Sequence, residues 1–523
     1  MKKILTFGIF LPAVLLVFSC KKQLNQEPLY GLNAATVYAD PENYINVLAK
    51  IYSGLSVTGL KGPAGNADIS GIDEGFSAYV RVLYNLQEVP TDVAVCGWND
   101  PGIPELNKST WSADNSFVKA MYYRIFYQIT LCNEFIRECS ENKMTDRGFN
   151  EAQKEEIRLY RNEARFLRAL SYSHAMDLFG NVPFVTEEDN VGAFVPEQIL
   201  RADLFNYIET ELLEIEPLLM DPGSCPYGRA SQAAVQFLLA KNYLNAEVYA
   251  GANRYSDCQV FCQKILDHGV FVLDNNYQNL FLADNHMSPE IIFPVTFDGL
   301  YTQTYGGTTF LIHAAVGGTM VPSEFGISGG WQGLRTTRPF VEKFADSMLD
   351  SRYLFYRDGQ SLDITSLGSF TQGYALPKYR NITSGSDPGS NVAGGFVDVD
   401  YPMFRLAEVH LMHAEAGLRG AGNTGQGTNL VNALRERAYS NTGSNFASIT
   451  LDELLDERAR ELYWECSRRT DLIRFGKFTG SDYLWPFKGG PDVGQGTPDY
   501  LNLYPLPTAD LILNPNLTQN IGY

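Results

Sequence analysis

A chain of 523 residues, 45% of them hydrophobic and 19% charged, has the composition of a globular protein and is long enough for several domains, a repeat array or one large decorated domain. A formal net charge of −19 would repel a phosphate backbone and argues against nucleic acid as a partner. The cysteines contain no Cys-x-x-Cys pair and do not form a disulfide framework; Cys258 and Cys262, on one helix face, read as buried thiols because no second ligand pair lies near them.

Lys2 and Lys3, an apolar run over residues 4–18 too short for a comfortable membrane span, and Ser19 just before Cys20 resemble a bacterial lipoprotein signal. Residues 1–19 are therefore expected to be removed and Cys20 to be lipidated, with 20–38 as a polar tether and 39–523 as the folded body. Asp40 as cap and Pro41 in the first turn predict a helix with Ile45, Leu48, Tyr52 and Leu55 on its apolar face. Residues 57–115 are glycine- and turn-rich and show no helical period. Helices resume at 116–139, expected to pair with the opening helix.

The longest signal lies at 151–185, where Ile157, Tyr160, Ala164, Leu167, Ser171, His174 and Leu178 recur at three- and four-residue steps. Gly180 can close that helix in a left-handed conformation and Pro183 cannot extend it. The segment 203–219 is expected to pair with 231–250. Alanine-studded helices with a glycine stop recur at 231–250 and at 402–419, each with a face it cannot hide alone. That recurrence predicts a mainly α fold of degenerate, tetratricopeptide-like helix hairpins stacked into a superhelix, with long irregular loops and a few short strands.

A short helix near Asp257 ends near Gly269, and over 271–400 the pattern dissolves into short apolar runs such as 291–295 and glycine-rich loops. A loop region of that length inside a compact protein is usually functional. Helices return at 402–419, at 429–440 and from Leu451, where Thr450 and Glu453 make a capping box and Leu451, Leu455, Ala459, Leu462 and Cys466 make the buried stripe. The apolar, proline-rich tail is expected to pack back onto the body.

Several motifs point to chemistry without its context. Gly326-Ile327-Ser328-Gly329-Gly330 spells a nucleophile elbow but has no strand before it or helix after it. The Gly420–Gly425 match to a dinucleotide fingerprint follows a helix, where such a site requires a strand. His410 and His413, one turn apart beside Glu408 and Glu415, lack a third ligand at known spacing. Glu457, Glu461 and Glu465 with Arg458, Arg460, Arg468 and Arg469 describe a salt-bridged helix better than a carboxylate pair for catalysis. No cofactor is required, though the run Asp274, Asn275, Asn276 would suit a calcium ion in a loop.

Five segments, EARFLRALSYSHAMDLFGNVPFV at 163–185, YPMFRLAEVHLMHAEAGLRG at 401–420, LVNALRERA at 430–438, ERARELYWECSRRTDLIRFGKF at 457–478 and NPNLTQNIGY at 514–523, together with the lipoprotein start, resemble the SusD/RagB family of outer-membrane nutrient-binding proteins. The resemblance implies a helical and loop part over about 39–270, a RagB/SusD part over about 271–523, and no enzymatic activity. It also implies a lipid-anchored position on the outer membrane, facing away from the cell, and delivery of bound oligosaccharide to a SusC-like TonB-dependent barrel.

The stretch 68–100, with TQTYGGTTF at 302–310 and SGGWQGLRTT at 328–337, is similar to the starch-binding branch. By that likeness Trp98, Trp331 and a tyrosine, Tyr305 in preference to Tyr301, would form an aromatic arc following a helical α-1,4-glucan. Asp73, Arg81 and Asn99 would bond its hydroxyls. The chemistry agrees, since C–H faces of glucose pack on aromatic rings while carboxylate, amide and guanidinium groups satisfy the hydroxyl rim. Trp98 and Trp331 lie in glycine-rich loops, whereas Trp464 is expected inside a helix and in the core. Another glycan or a peptide on the same scaffold is the main alternative, and a glycoside hydrolase a weaker one.

Overall fold

The computed structural model describes residues 34–60, 62–190, 192, 194–344 and 349–523. The expected leader, Cys20 and most of the expected tether lie outside the described residues.

The expected helix array is present. Ser116–Glu138 packs along Glu151–Phe179, which packs in turn on Arg201–Ile215. Gln232–Leu244 packs on Tyr255–His268, which meets Leu406–Ala416, and that helix packs on Thr424–Tyr439 and Leu451–Leu462. Two pairings differ from expectation: Ser116–Glu138 and Arg201–Ile215 both lie mainly along Glu151–Phe179 rather than on Asn43–Ser53 and Gln232–Leu244. At 29 residues Glu151–Phe179 is long enough to serve as a shared spine. Asn150 and Gln153 close a capping box at its start. At its end Gly180 has φ +72, and a Cβ there would lie 2.9 Å from Leu503. The tail uses that gap, since Tyr504 N–H donates to Leu178 O and Asn520 Nδ2 to Phe179 O, both at 2.8 Å. The tail thus packs back as its composition predicts.

Several boundaries move. Residues 401–405 do not begin a helix; Tyr401–Arg405 is a strand, antiparallel to the apolar run Ile291–Val295. Val182–Pro183 pairs with Gln198–Ile199, and Val95–Cys96 with Leu334–Arg335. Inside 57–115 and 271–400, where no helix was expected, Tyr79–Gln87 and Gly307–Ala315 are helical. Every residue of both is buried, and at nine residues each they are short for a periodic signal.

The helix Leu451–Leu462 is followed by Trp464 at φ +62, fully buried, so the expectation of a core tryptophan holds while its place in a helix does not. The charged column is buried rather than solvated. Glu457 pairs with Arg352, Arg435 and Arg460; Glu461 pairs with Arg352, Arg405 and Arg437; and Glu465 pairs with Arg405 and Lys378. Most partners therefore come from other segments. Arg468 turns to Asp92 and Arg469 to Asp177 instead.

Candidate functional site

The two buried helices missing from the sequence reading carry the ground on which a site is built. Gly306 and Gly307 let the helix Gly307–Ala315 start between two neighbours, because a Cβ at Gly306 would lie 2.1 Å from Ala78 Cβ and one at Gly307 2.1 Å from the Phe297 ring. Phe310 and His313, three apart on this helix, face the two loop tryptophans. The Phe310 ring is 5.9 Å from Trp98 and the His313 ring 4.7 Å from Trp331.

The end of the helix is closed by the second loop, whose N–H groups satisfy carbonyls that a helix terminus leaves open. Trp331 N–H donates to His313 O at 2.6 Å, Gln332 N–H to Val316 O at 3.1 Å and Gly333 N–H to Ala314 O at 2.8 Å. The first loop is tied alongside by the pair Val95–Cys96 and Leu334–Arg335 and by Gly97 N–H on Gly333 O at 2.9 Å. A Cβ at Gly333 would lie 2.4 Å from the Trp98 indole, so the indole packs this closely on that backbone only because residue 333 is glycine.

Trp98 and Trp331 consequently meet with ring centroids 6.4 Å apart and planes inclined at 47°. The Trp98 Nε1–H donates to Trp331 O at 3.1 Å, which locks the pair. Both indoles are half-buried, packed on the core beneath. Tyr305 continues the row at 6.3 Å from Trp331 and is 40% exposed; Phe396 backs it at 5.7 Å. The structure thus brings Trp98, Trp331 and Tyr305 together. Tyr301, 85% exposed, makes no ring contact with any described residue.

The polar residues are placed less uniformly. Arg81 is buried, not on a rim: its guanidinium lies 4.5 Å from the Phe310 ring and 5.5 Å from the Trp98 ring, and Nη1 donates to Gly75 O at 2.7 Å and Tyr305 O at 3.0 Å. Through Nη1 the side chain ties the turns at Gly75 and Tyr305 together beside the aromatic row, while its Nε makes no hydrogen bond among the described residues. Burial lowers its pKa to about 10, which leaves it charged at neutral pH. Asp73 is exposed and accepts Gly75 N–H at 2.7 Å, shaping the turn whose carbonyl Arg81 holds. Asn99 is exposed beside Trp98. His313 donates from Nδ1 to Thr309 O at 3.1 Å, and burial lowers its pKa to about 4, so it is a neutral ring under Trp331.

The sequence profile of the SusD family matches residues 295–523. Across 91% of this chain and 92% of that protein, 35% of residues are identical to the starch-binding protein SusD of Bacteroides thetaiotaomicron. The chain belongs to the SusD family. A SusD-like protein, P25, of Formosa agariphila is 25% identical over the whole of both chains. Among solved structures, surface glycan-binding protein A from Bacteroides fluxus superposes with a TM-score of 0.71 at 20% identity, covering 92% of this chain and 99% of that one. The protein of that name from Bacteroides thetaiotaomicron, in complex with laminarihexaose, gives 0.69 at 19% identity, with the same coverage. At those identities the likeness is one of fold.

On this SusD scaffold the misleading motifs are accounted for. Ser328 is exposed and follows a short turn, Pro322–Phe325, with no helix after it. The glycines at 420 and 422 have φ +118 and +90 in a loop between helices. His410 Nδ1 donates to Leu430 O at 3.1 Å, and Cys258 and Cys262 are buried free thiols. Among the described residues no group of three or more His, Cys, Asp or Glu is placed to hold a metal ion. In the calcium candidate, Asp274 Oδ1 accepts from Asn276 N–H and Asn279 Nδ2, so that carboxylate serves its own turn. Phe310, His313, Phe396 and Gly333 were missed as site residues. Phe310 lay inside the segment 302–310, and a three-residue spacing to His313 was its one signal.

Proposed function

We propose that this chain binds starch-type α-glucan on the cell surface and passes malto-oligosaccharides to a SusC-like TonB-dependent barrel in the outer membrane, to which it is anchored by a lipid on Cys20. SusD-family proteins bind without catalysis, and the row of rings presents stacking surfaces. The observation that carries the reading is the meeting of two indoles from loops 233 residues apart in sequence. Inclined at 47° and extended by Tyr305, they offer successive faces that turn, which suits a polymer that curves and not a straight one. Support for α-glucan over other glycans comes from the identity shared with a starch-binding relative. Several weak stacking contacts along one polymer give useful avidity.

A glycan array that includes amylopectin, pullulan, inulin and laminarin, followed by titration with maltoheptaose, tests the reading. Wild type binds the two α-glucans, Trp98→Ala and Trp331→Ala each lose roughly 1–3 kcal/mol of binding, and maltoheptaose is recovered uncleaved. Binding to inulin or laminarin with silence toward both α-glucans would sink it.

A further inference from the structure

Between Trp331 and Gly333, Gln332 has φ +56, a conformation that disfavours any residue with a Cβ. It is imposed from both sides, because the N–H groups of residues 331, 332 and 333 are all bonded to the end of the helix Gly307–Ala315. The side chain leaves through a built slot. A Cβ at Gly317 would lie 2.2 Å from Gln332 Cγ and 2.9 Å from Phe370 Cε1, so the missing side chain at 317 is filled by the glutamine stem, with the Phe370 ring beside it. Yet the residue is exposed, and its carboxamide bonds no described residue. A fixed stem with a free amide in a strained backbone is an arrangement in search of a reason, and strain of this kind collects at binding sites.

We propose that Gln332 is a specificity-determining ligand contact whose carboxamide bonds an adjacent pair of hydroxyls on the neutral hexose unit stacked at Trp331. The inference rests on reading the aromatic row as a glycan cradle. A ring stacked on an indole keeps its hydroxyls at its edge, and a carboxamide offers an acceptor and two donors, matching two neighbouring hydroxyls of which one donates and one accepts. Trp331 contacts Trp98, Tyr305 and His313, whereas Gln332 lies with Gly317 and Phe370; the amide therefore reads an edge that Tyr305 does not reach. A neutral amide there suits an uncharged sugar. A larger residue at 317 would close the slot.

The test is titration of the full chain with maltoheptaose, alongside thermal melting, for wild type, Gln332→Gly, Gln332→Ala and Trp331→Ala. Gln332→Gly relieves the backbone, so its melting temperature equals or exceeds that of wild type while its affinity falls about tenfold, as for loss of one or two hydrogen bonds. Gln332→Ala weakens binding equally without the gain in melting temperature. If both variants bind within about twofold of wild type while Trp331→Ala loses binding, the proposal falls and the cradle stands. If wild type ignores maltoheptaose, the α-glucan reading falls, and the same variants are titrated with whichever array glycan depends on Trp98; unchanged affinity there overturns the proposal, and if no glycan depends on Trp98 both fall.

Discussion

Glycine at position 333 decides how the aromatic row is built. Its missing Cβ is the space into which the Trp98 indole settles, 2.4 Å from where that atom would be. Gly333→Ala keeps every aromatic side chain and pushes the indole off its seat, and overpacking of this kind costs about 1–3 kcal/mol. The expected outcome is a loss of maltoheptaose affinity close to that of Trp98→Ala, read by titration; unaltered affinity would show that the seat of Trp98 does not matter. Arg81 illustrates the converse. Its residue type and its neighbourhood were legible in the segment 68–100, but its burial against Phe310 and its bonds to the carbonyls of Gly75 and Tyr305 belong to the folded chain.

At the scale of elements, the helix Gly307–Ala315 acts as a plinth. One face carries Phe310 and His313 beneath the tryptophans, its carbonyl end anchors the Trp331 loop, and Thr308 Oγ1 donates to Val399 O at 2.6 Å to hold it in place. Phe310→Ala removes the ring under both Trp98 and Arg81. Stability should fall by about 3–5 kcal/mol, as for other large-to-small core changes, and glycan binding should weaken in the still-folded protein. Denaturant titration and binding at low temperature check the two effects; a loss of stability with binding intact would separate plinth from site. Amphipathic helices such as Glu151–Phe179 were readable because one side meets water. The plinth was not, since nine residues that are apolar on nearly every side carry little period to detect.

For the molecule as a whole, buried charge makes stability depend on pH in both directions. The arginines around Glu457 hold its pKa down to about 2, and those around Asp471 do the same, while Glu461 lies well below the carboxylate range. A depressed carboxylate stabilises the fold above its unfolded pKa and loses that contribution as pH falls through its folded pKa. Melting temperature should therefore drop from about pH 4.5 downward, the ordinary carboxylate range. Glu88 runs the other way. One oxygen accepts Ser467 and Arg468 N–H, the other is buried without a partner among the described residues, and burial raises its pKa to about 8. Its folded state keeps a proton that the unfolded chain has released, so stability declines as pH rises from the ordinary carboxylate pKa toward 8. Glu88→Gln should melt higher than wild type at pH 8, with the gap narrowing toward pH 5; a constant gap would mean that Glu88 does not titrate there.

Order and type of the exposed helices, the capping box at Thr450 and Glu453, the glycine stop at 180 and the identity of the aromatic residues were all determined by the sequence alone, because each depends on neighbours within a turn or two. Register at 401–405, the distant partners of Glu457 and Glu461, and the inward turn of Arg81 were decided by tertiary structure. The same holds for the row of rings. That Trp98 and Trp331 would share one aromatic arc was implied only by family likeness; what holds them together is a carbonyl, a glycine and a buried helix that no local pattern announces, since contact between residues 233 apart is a property of the folded chain.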